Sequence, residues 1–270
     1  MSELPYFDLL LEGRRAGDPA AALFARHVHW GYWERPPAAP VTPEGYQSAM
    51  ERLDDEVLAG ARLADGMAIA DVGCGFGGTL ARLSARLPRA RLVGVNFDMR
   101  QLAVAVPSRA SFIRANACAL PLKARSLDAV LAVECIFHFP SRLEFLKEAA
   151  RALKPGGRVT LSDFVPASAS ATTGPVGRWV QARIARAYGK TGDDWRDGGY
   201  AEMAEKAGLV VEVDRDVTKQ TLPTYPFLIG QIKRRSFGEG ERMMLWPTRL
   251  LYWLSALGVV RYRIVGLRKP

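Results

Sequence analysis

Cysteine is scarce in this chain of 270 residues, and its three copies, Cys74, Cys118 and Cys135, form no C-x-x-C pair. Each lies in or beside an apolar stretch, so a zinc site and a disulfide framework are both excluded as readings and the thiols are expected reduced, in a cytoplasmic protein. Long apolar runs are also missing. The longest strongly apolar stretch, Leu250 to Val260, is about half of the ~20 residues a membrane span requires. The start, MSELPYFDLLLEG, lacks the basic residues and small-residue cleavage site of a signal peptide. No internal repeat or low-complexity segment stands out. The net charge is +9, from 37 basic and 28 acidic side chains, but no basic block carries interleaved aromatics, which argues against nucleic acid as a partner. Peripheral contact with a membrane is left open without being expected.

The content that remains fits one sizeable core. Hydrophobic residues make up 49% of the chain, enough for a single α/β unit with a smaller lid. Residues 1–35 read as helical and end in His29-Trp30-Gly31-Tyr32-Trp33. A connector with Pro36, Pro37, Pro40 and Pro43 follows, then a helix from Glu44 to about Leu63. Strand signals fall at Met67–Val72, Arg91–Val95, Ser111–Arg114, Leu127–Val133, Arg158–Phe164, Leu209–Val217 and Val259–Leu267. Helix signals fall between them at Thr79–Leu87, Met99–Val106, Arg142–Leu153 and Gly199–Ala207, with Lys154–Gly157 as a turn. The alternation implies right-handed crossovers and a mostly parallel sheet. Two stretches, near 165–197 and 218–257, break the rhythm and read as lid insertions; the first includes a helix around Val176–Tyr188 and the polar turn Gly192-Asp193-Asp194. The division expected is an N-terminal helical flap over 1–60 and a ligand-binding core over 61–270.

The strongest local signal is Asp71-Val72-Gly73-Cys74-Gly75-Phe76-Gly77-Gly78, at the end of a strand and the start of a helix. Glycines let the backbone turn sharply and let a ligand approach closely, and helix-start N–H groups point into the same space. A dinucleotide site also places glycines after its first strand. Here the spacing is Asp-x-Gly-x-Gly-x-Gly, and the negative Asp71 suits an ammonium group better than a pyrophosphate.

Four segments in order resemble class I S-adenosylmethionine-dependent methyltransferases that act on sugars, polyketides and other small metabolites. These are Asp71 to Gly77, Arg91-Leu92-Val93-Gly94-Val95-Asn96, Asn116-Ala117-Cys118-Ala119-Leu120-Pro121-Leu122 followed by Ser126-Leu127-Asp128-Ala129-Val130, and Leu153-Lys154-Pro155-Gly156-Gly157-Arg158. The resemblance covers about residues 60–217. It implies a doubly wound, seven-stranded, Rossmann-like sheet with N-terminal helices and a helical lid, and S-adenosyl-L-methionine as cofactor. Gly73, Cys74, Gly75 and Gly77 would pass under the amino-acid part of that cofactor, near Asp71. Asn96 stands where the family usually has a ribose-binding acid, with Phe97, Asp98 and Gln101 nearby; Asn116 replaces the usual Asp near adenine, and Ala117 would offer its backbone. Glu134 would close the cofactor side of the crevice. The aromatic stretch ending at Tyr32 and Trp33 resembles a segment that folds over the cofactor, where aromatic faces can hold a sulfonium.

For the acceptor, a hydroxyl needs its proton removed, and histidine is the side chain suited to that near neutral pH. The chain has three: His27, His29 and His138. His138, just past the fourth strand, resembles the base of related O-methyltransferases; His29 is a second candidate, and Asp163 could orient the base or bind the acceptor. No metal is required. Trp179, Tyr188, Trp195, Tyr225, Phe227, Trp246 and Trp253 would make the lid roomy and apolar, for a bulky, partly apolar small-molecule acceptor. Arg178, Arg183 and Arg186 recur at helical spacing and read as a solvated face. C-methylation of an isoprenoid, quinone or lipid is the alternative activity, a non-catalytic cofactor-binding protein is a third, and a homodimer is left open.

Overall fold

The computed structural model describes residues 4–168, 174–190, 199–234 and 239–270. Its centre is a seven-stranded sheet in the order β3-β2-β1-β4-β5-β7-β6. The strands are β1 (Ala68–Val72), β2 (Arg91–Asn96), β3 (Ser111–Arg114), β4 (Leu127–Val133), β5 (Leu153–Pro166), β6 (Val210–Asp216) and β7 (Val260–Arg268). The first five pair in parallel; β7 runs antiparallel between β5 and β6. Chain order runs outward from β1 to β3 and then restarts at β4, so strand order reverses between β1 and β4. In open α/β sheets that reversal opens a crevice beyond the strand ends.

Among the described residues the helices in chain order are α1 (Pro5–Arg15), α2 (Pro19–Ala22), α3 (Pro43–Ala59), α4 (Gly78–Arg86), α5 (Met99–Leu102), α6 (Arg142–Ala152), α7 (Pro175–Tyr188), α8 (Gly199–Lys206), α9 (Thr218–Thr221), α10 (Thr224–Arg234) and α11 (Glu239–Ala256). Local chemistry sets several starts. Thr42 caps α3 by accepting from the Gly45 N–H at 3.1 Å, with Pro43 in the first turn, and Ser141 caps α6 by accepting from the Glu144 N–H at 3.2 Å.

Strand β1 (sequence AIADV) is buried along its whole length. Its alternation feeds two core layers. Ala68, Ala70 and Val72 pack with Phe145, Leu146 and Ala149 of α6, and Ile69 packs with Leu80 and Leu83 of α4. A third cluster joins Leu53 and Val57 of α3 to Tyr262 and Ile264 of β7 and to Tyr225 and Leu251 of the lid helices.

Three local expectations need correction. Residues 27–33 are not helical, because their N–H groups go to distant partners: Trp30 to Glu134, Gly31 to the Thr224 hydroxyl, Tyr32 to the Ala49 carbonyl and Trp33 to the Gln220 carbonyl. The helix after β2 stops at Leu102 rather than Val106; the Val106 N–H turns away to the Phe76 carbonyl at 2.8 Å. Lys154–Gly157 belongs to β5 and is not a free turn. There Gly156 donates to the Lys269 carbonyl and Lys269 to the Gly157 carbonyl, so the segment is paired with the end of β7. The expected Gly192–Asp194 turn and Trp195 lie outside the described residues.

Candidate active site

A cavity of about 1380 Å³ opens over the β1/β4 reversal. Its floor is the turn after β1. Gly73 and Cys74 both donate to the Val95 carbonyl, at 2.7 and 3.2 Å, which folds the turn back over β2. Gly75 has φ +52 and no atom within 4 Å of where a Cβ would stand, so a side chain there would be strained and would enter the open space beside it. A Cβ on Gly73 would meet Cys135 Sγ at 2.5 Å. The turn is therefore bare backbone on one side and packed against β4's exit on the other. Gly77, the left-handed N-cap of α4, packs toward Phe112 and does not line the cavity.

Asp71 closes β1 and is buried against this space. Among the described residues no hydrogen bond satisfies its carboxylate, and burial, reinforced by Asp54, pushes its pKa up to about 8. A buried acid without a donor is a costly arrangement, and a cationic group entering the cavity would relieve it. Glu134 follows β4 with φ +50. Its Oε2 accepts from the Trp30 N–H at 2.8 Å and the Tyr262 hydroxyl at 2.6 Å, while burial raises its pKa to about 8.

Residues after β2 and β3 form the next wall. The Asn96 and Gln101 amides pair at 2.8 Å, and Gln101 keeps a buried amide nitrogen without a partner among the described residues. Asp98 also lines the cavity, where it caps α5 and is held by Arg100. Phe97 is exposed at the rim under the Arg114 guanidinium. Asn116 Oδ1 accepts from the Cys118 N–H at 2.9 Å, which fixes the turn that presents buried Ala117.

The opposite wall comes from the N-terminal segment and from the short helical turn Ile136–His138. His138 Nδ1 lies 3.0 Å from the Lys190 carbonyl. A carbonyl only accepts, so Nδ1 carries the hydrogen and Nε2 the lone pair. That Nε2 is buried with no partner among the described residues, and burial lowers the ring's pKa to about 4. The Tyr6 ring of α1 stacks on it with centroids 6.1 Å apart. His29 also lines the cavity, but beside α4. Its ring is 5.0 Å from that of His27, and Nδ1 bonds the Trp30 carbonyl. One ring nitrogen of each histidine and an Asp54 oxygen lie within 4.8 Å of one another. Asp54 already takes the Thr79 hydroxyl and the Arg82 guanidinium, so its charge has a cationic partner within the protein.

Several candidates lie elsewhere. Tyr32 and Trp33 do not line the cavity; Trp33 stacks on Tyr46 with centroids 6.3 Å apart, inside a separate cluster. Their expected place over a sulfonium is corrected, and the aromatic rings beside the space are those of Tyr6, Phe7, Phe76, Phe97 and Phe139. Asp163 is fully buried in β5, where the Arg142 guanidinium at 2.8 Å and the Tyr200 hydroxyl at 2.7 Å hold it. It braces the sheet and does not reach the cavity. The aromatic lid is also corrected. Tyr225 and Phe227 are core residues, while Trp179, Trp246 and Trp253 face solvent. Of the three arginines of α7, Arg186 lines the cavity and Arg183 lies over Trp179 and Trp246. Residues that sequence patterning missed include Tyr6, Phe7, Arg26, His27 and Lys190; their positions depend on contacts distant in the chain, such as Tyr6 with His138, Phe7 with Phe76, Arg26 with Gly78 and Lys190 with His138, and the local signal is an apolar face on α1.

Residues 70–161 match the model of a methyltransferase domain. The chain is 32% identical over 225 residues to methyltransferase GfsG of Streptomyces halstedii, covering 80% of this chain and 77% of that one. The chain belongs to the class I S-adenosylmethionine-dependent methyltransferases. It is also 30% identical to the 27-O-demethylrifamycin SV methyltransferase of Amycolatopsis mediterranei (strain S699), over 75% and 74% of the two chains. Among solved structures, the fold matches the [4+2]-cyclase SpnF (TM-score 0.73, 23% identity, 96% and 91% covered). It also matches the cyclopropane synthase MmaA2 from Mycobacterium tuberculosis (TM-score 0.76, 17% identity, 92% and 93% covered). The enzyme's cofactor is thus S-adenosylmethionine, and the cavity fits it: bare glycine backbone, an unsatisfied buried acid and an unsatisfied Gln101 amide sit where a ligand with a cationic end and hydroxyls can meet them.

Proposed function

We propose that this methyltransferase modifies a hydroxyl of a small, partly apolar metabolite, with His138 as general base. The observation that carries the proposal is the His138 ring, fixed through Nδ1 with an unpartnered Nε2 in the cavity wall. The relatives named above include an enzyme whose name specifies O-methylation, and the erythromycin 3''-O-methyltransferase of Saccharopolyspora erythraea is 31% identical over 160 residues, 56% of this chain and 50% of that one. A volume of about 1380 Å³ exceeds the ~300–1,000 Å³ of an ordinary ligand pocket, which leaves room for an acceptor beside the cofactor.

Asp71 would hold the ammonium of the cofactor, Gly73, Cys74 and Gly75 would run beneath its amino-acid part, Asn96 and Gln101 would meet the ribose, and Asn116 and Ala117 would border the adenine. When bound, the cofactor supplies a methyl group already activated on a sulfonium. The chain's own task is alignment, exclusion of water and removal of one proton. Burial keeps His138 neutral at pH 7, so Nε2 accepts the acceptor's hydroxyl proton while the Lys190 carbonyl stabilises the resulting imidazolium through Nδ1–H. Tyr6 and Phe7 of α1 cover the site from the N-terminal side. The segments 1–60 and the lid helices then act as covers on a core that spans residues 61–270.

The test is transfer of isotope from labelled S-adenosylmethionine into a metabolite extract, followed by His138→Ala on the acceptor so identified. Turnover should fall by ~10²–10⁴-fold with S-adenosylhomocysteine affinity unchanged. In the wild type the rate per folded enzyme should hold from pH 7 to about 5 and fall only near pH 4, as the lowered His138 pKa is crossed. Near-full turnover in His138→Ala would transfer support to C-methylation, in which no hydroxyl proton is removed.

A further inference from the structure

Helices α7 and α11 pair through the Tyr188 hydroxyl and Thr248 Oγ1 at 2.7 Å, and their outer faces carry an apolar stripe with no partner among the described residues. On α11, Met243, Trp246, Leu250 and Trp253 fall three or four residues apart, on one face of the helix, and Leu257 follows just past its end. Trp253 is 60% exposed and Leu257 74%. The stripe continues on α7, where Val176 is 75% exposed and Trp179 meets Trp246 edge-on with centroids 5.6 Å apart. Monomers rarely expose apolar surface in such a contiguous row unless it contacts something.

Among the described residues of α7 and of α11 from Met243 onward, the charged side chains are of one sign. Arg178, Arg183, Arg186 and Arg249 are exposed along it, and Arg183 lies 5.3 Å over Trp179 and 5.8 Å over Trp246. No Asp or Glu occurs from Gly174 to Lys190 or from Met243 to Pro270; the acids of α11 stop at Glu241. A second copy of this chain docking here about a two-fold axis would set these arginines against their equivalents. Protruding tryptophans flanked by arginines match the interfacial region of a bilayer, where indoles sit at the headgroup level and cations meet lipid phosphates.

We propose that the α7–α11 face docks the enzyme on an anionic lipid surface. The same helix α7 contributes Ala185, Arg186 and Gly189 to the cavity wall, so the docked face adjoins the route into the site. This docking is independent of which group the enzyme methylates.

Co-sedimentation with vesicles of phosphatidylcholine, with and without phosphatidylglycerol, tests it on the full chain. Retention on the mixed vesicles should be at least about tenfold stronger than on the neutral ones, fall with added salt, and shift tryptophan emission to the blue. The double variant Trp179→Ser/Trp253→Ser, and separately Arg178→Glu/Arg183→Glu, should each lose about tenfold or more of that retention. Both should keep the wild-type thermal shift with S-adenosylhomocysteine, which shows that they fold and bind cofactor. Equal retention on neutral vesicles, or variants that sediment like the wild type, overturns the proposal. So does concentration-dependent dimerisation that Trp253→Ser abolishes, or capture by polyglutamate without any retention on vesicles.

Discussion

The turns after β1, β2 and β4 and the helices of the lid both carry side chains that chemistry could use, yet they differ in what fixes them. Asp71, Gly75, Asn96 and Glu134 sit at strand ends, and neighbours in sequence and register hold them there. Asp71 is paired in register with Gly94 on one side and Leu131 on the other. The lid residues have no such frame. Tyr225 is fully buried and Trp253 is 60% exposed, although both are large aromatic residues in helices close together in the chain. A sheet places its loop residues by alternation and register, whereas a helix over a sheet places its side chains by how it happens to pack.

The largest effect that would sharpen this contrast concerns a residue that belongs to the frame and not to the site. Asp163→Asn removes a charge paired with buried Arg142, whose side chain is 3% exposed against 0% for Asp163. Stability should fall by about 3–5 kcal/mol, measured by urea unfolding, while turnover per folded enzyme stays near the wild-type value. A specific loss of turnover at unchanged stability would return Asp163 to the site. Next in size, Gly75→Val should leave the fold intact, since nothing lies within 4 Å of its Cβ position. The strain of φ +52 in a branched residue, together with the occupied space, should weaken S-adenosylhomocysteine binding roughly 10- to 100-fold. Unfolding instead would mean that the turn is structural and not a cradle. The smallest effect belongs to Tyr32→Phe, which should change cofactor affinity by less than about twofold, because Tyr32 lies outside the cavity wall. A large loss there would restore the sulfonium-facing role expected of it.

The same contrast explains what the sequence made legible. Strands β3 and β4 lie where their patterns put them, and the glycine turn opens α4 as its spacing implies. Periodicity and glycine chemistry are local properties. Segment 27–33 went astray because apolar and aromatic residues at close spacing suit a helix as well as an extended strap. Three of the four N–H partners named above, Glu134, Thr224 and Gln220, are more than 100 residues away. The end of α5 was set by the Phe76 carbonyl, 30 residues earlier in the chain. His138 was legible by type and place, but the Lys190 carbonyl that orients it comes from the far end of α7. Tyr6, stacked on that histidine, carried no signal beyond an amphipathic first helix.

The central proposal is that the buried Asp71 and the backbone of Gly73, Cys74 and Gly75 receive the cationic end of the cofactor, and proton counting addresses it most directly. Asp71, with its pKa near 8, is mostly protonated at pH 7 in the free enzyme; an ammonium beside it would ionise it. Calorimetric titration of S-adenosylhomocysteine at pH 7 in buffers of different ionisation enthalpy should show release of close to one proton in the wild type. Asp71→Asn should show none and bind more weakly. Tight binding with no proton released in the wild type, and the same affinity in Asp71→Asn, would contradict the account.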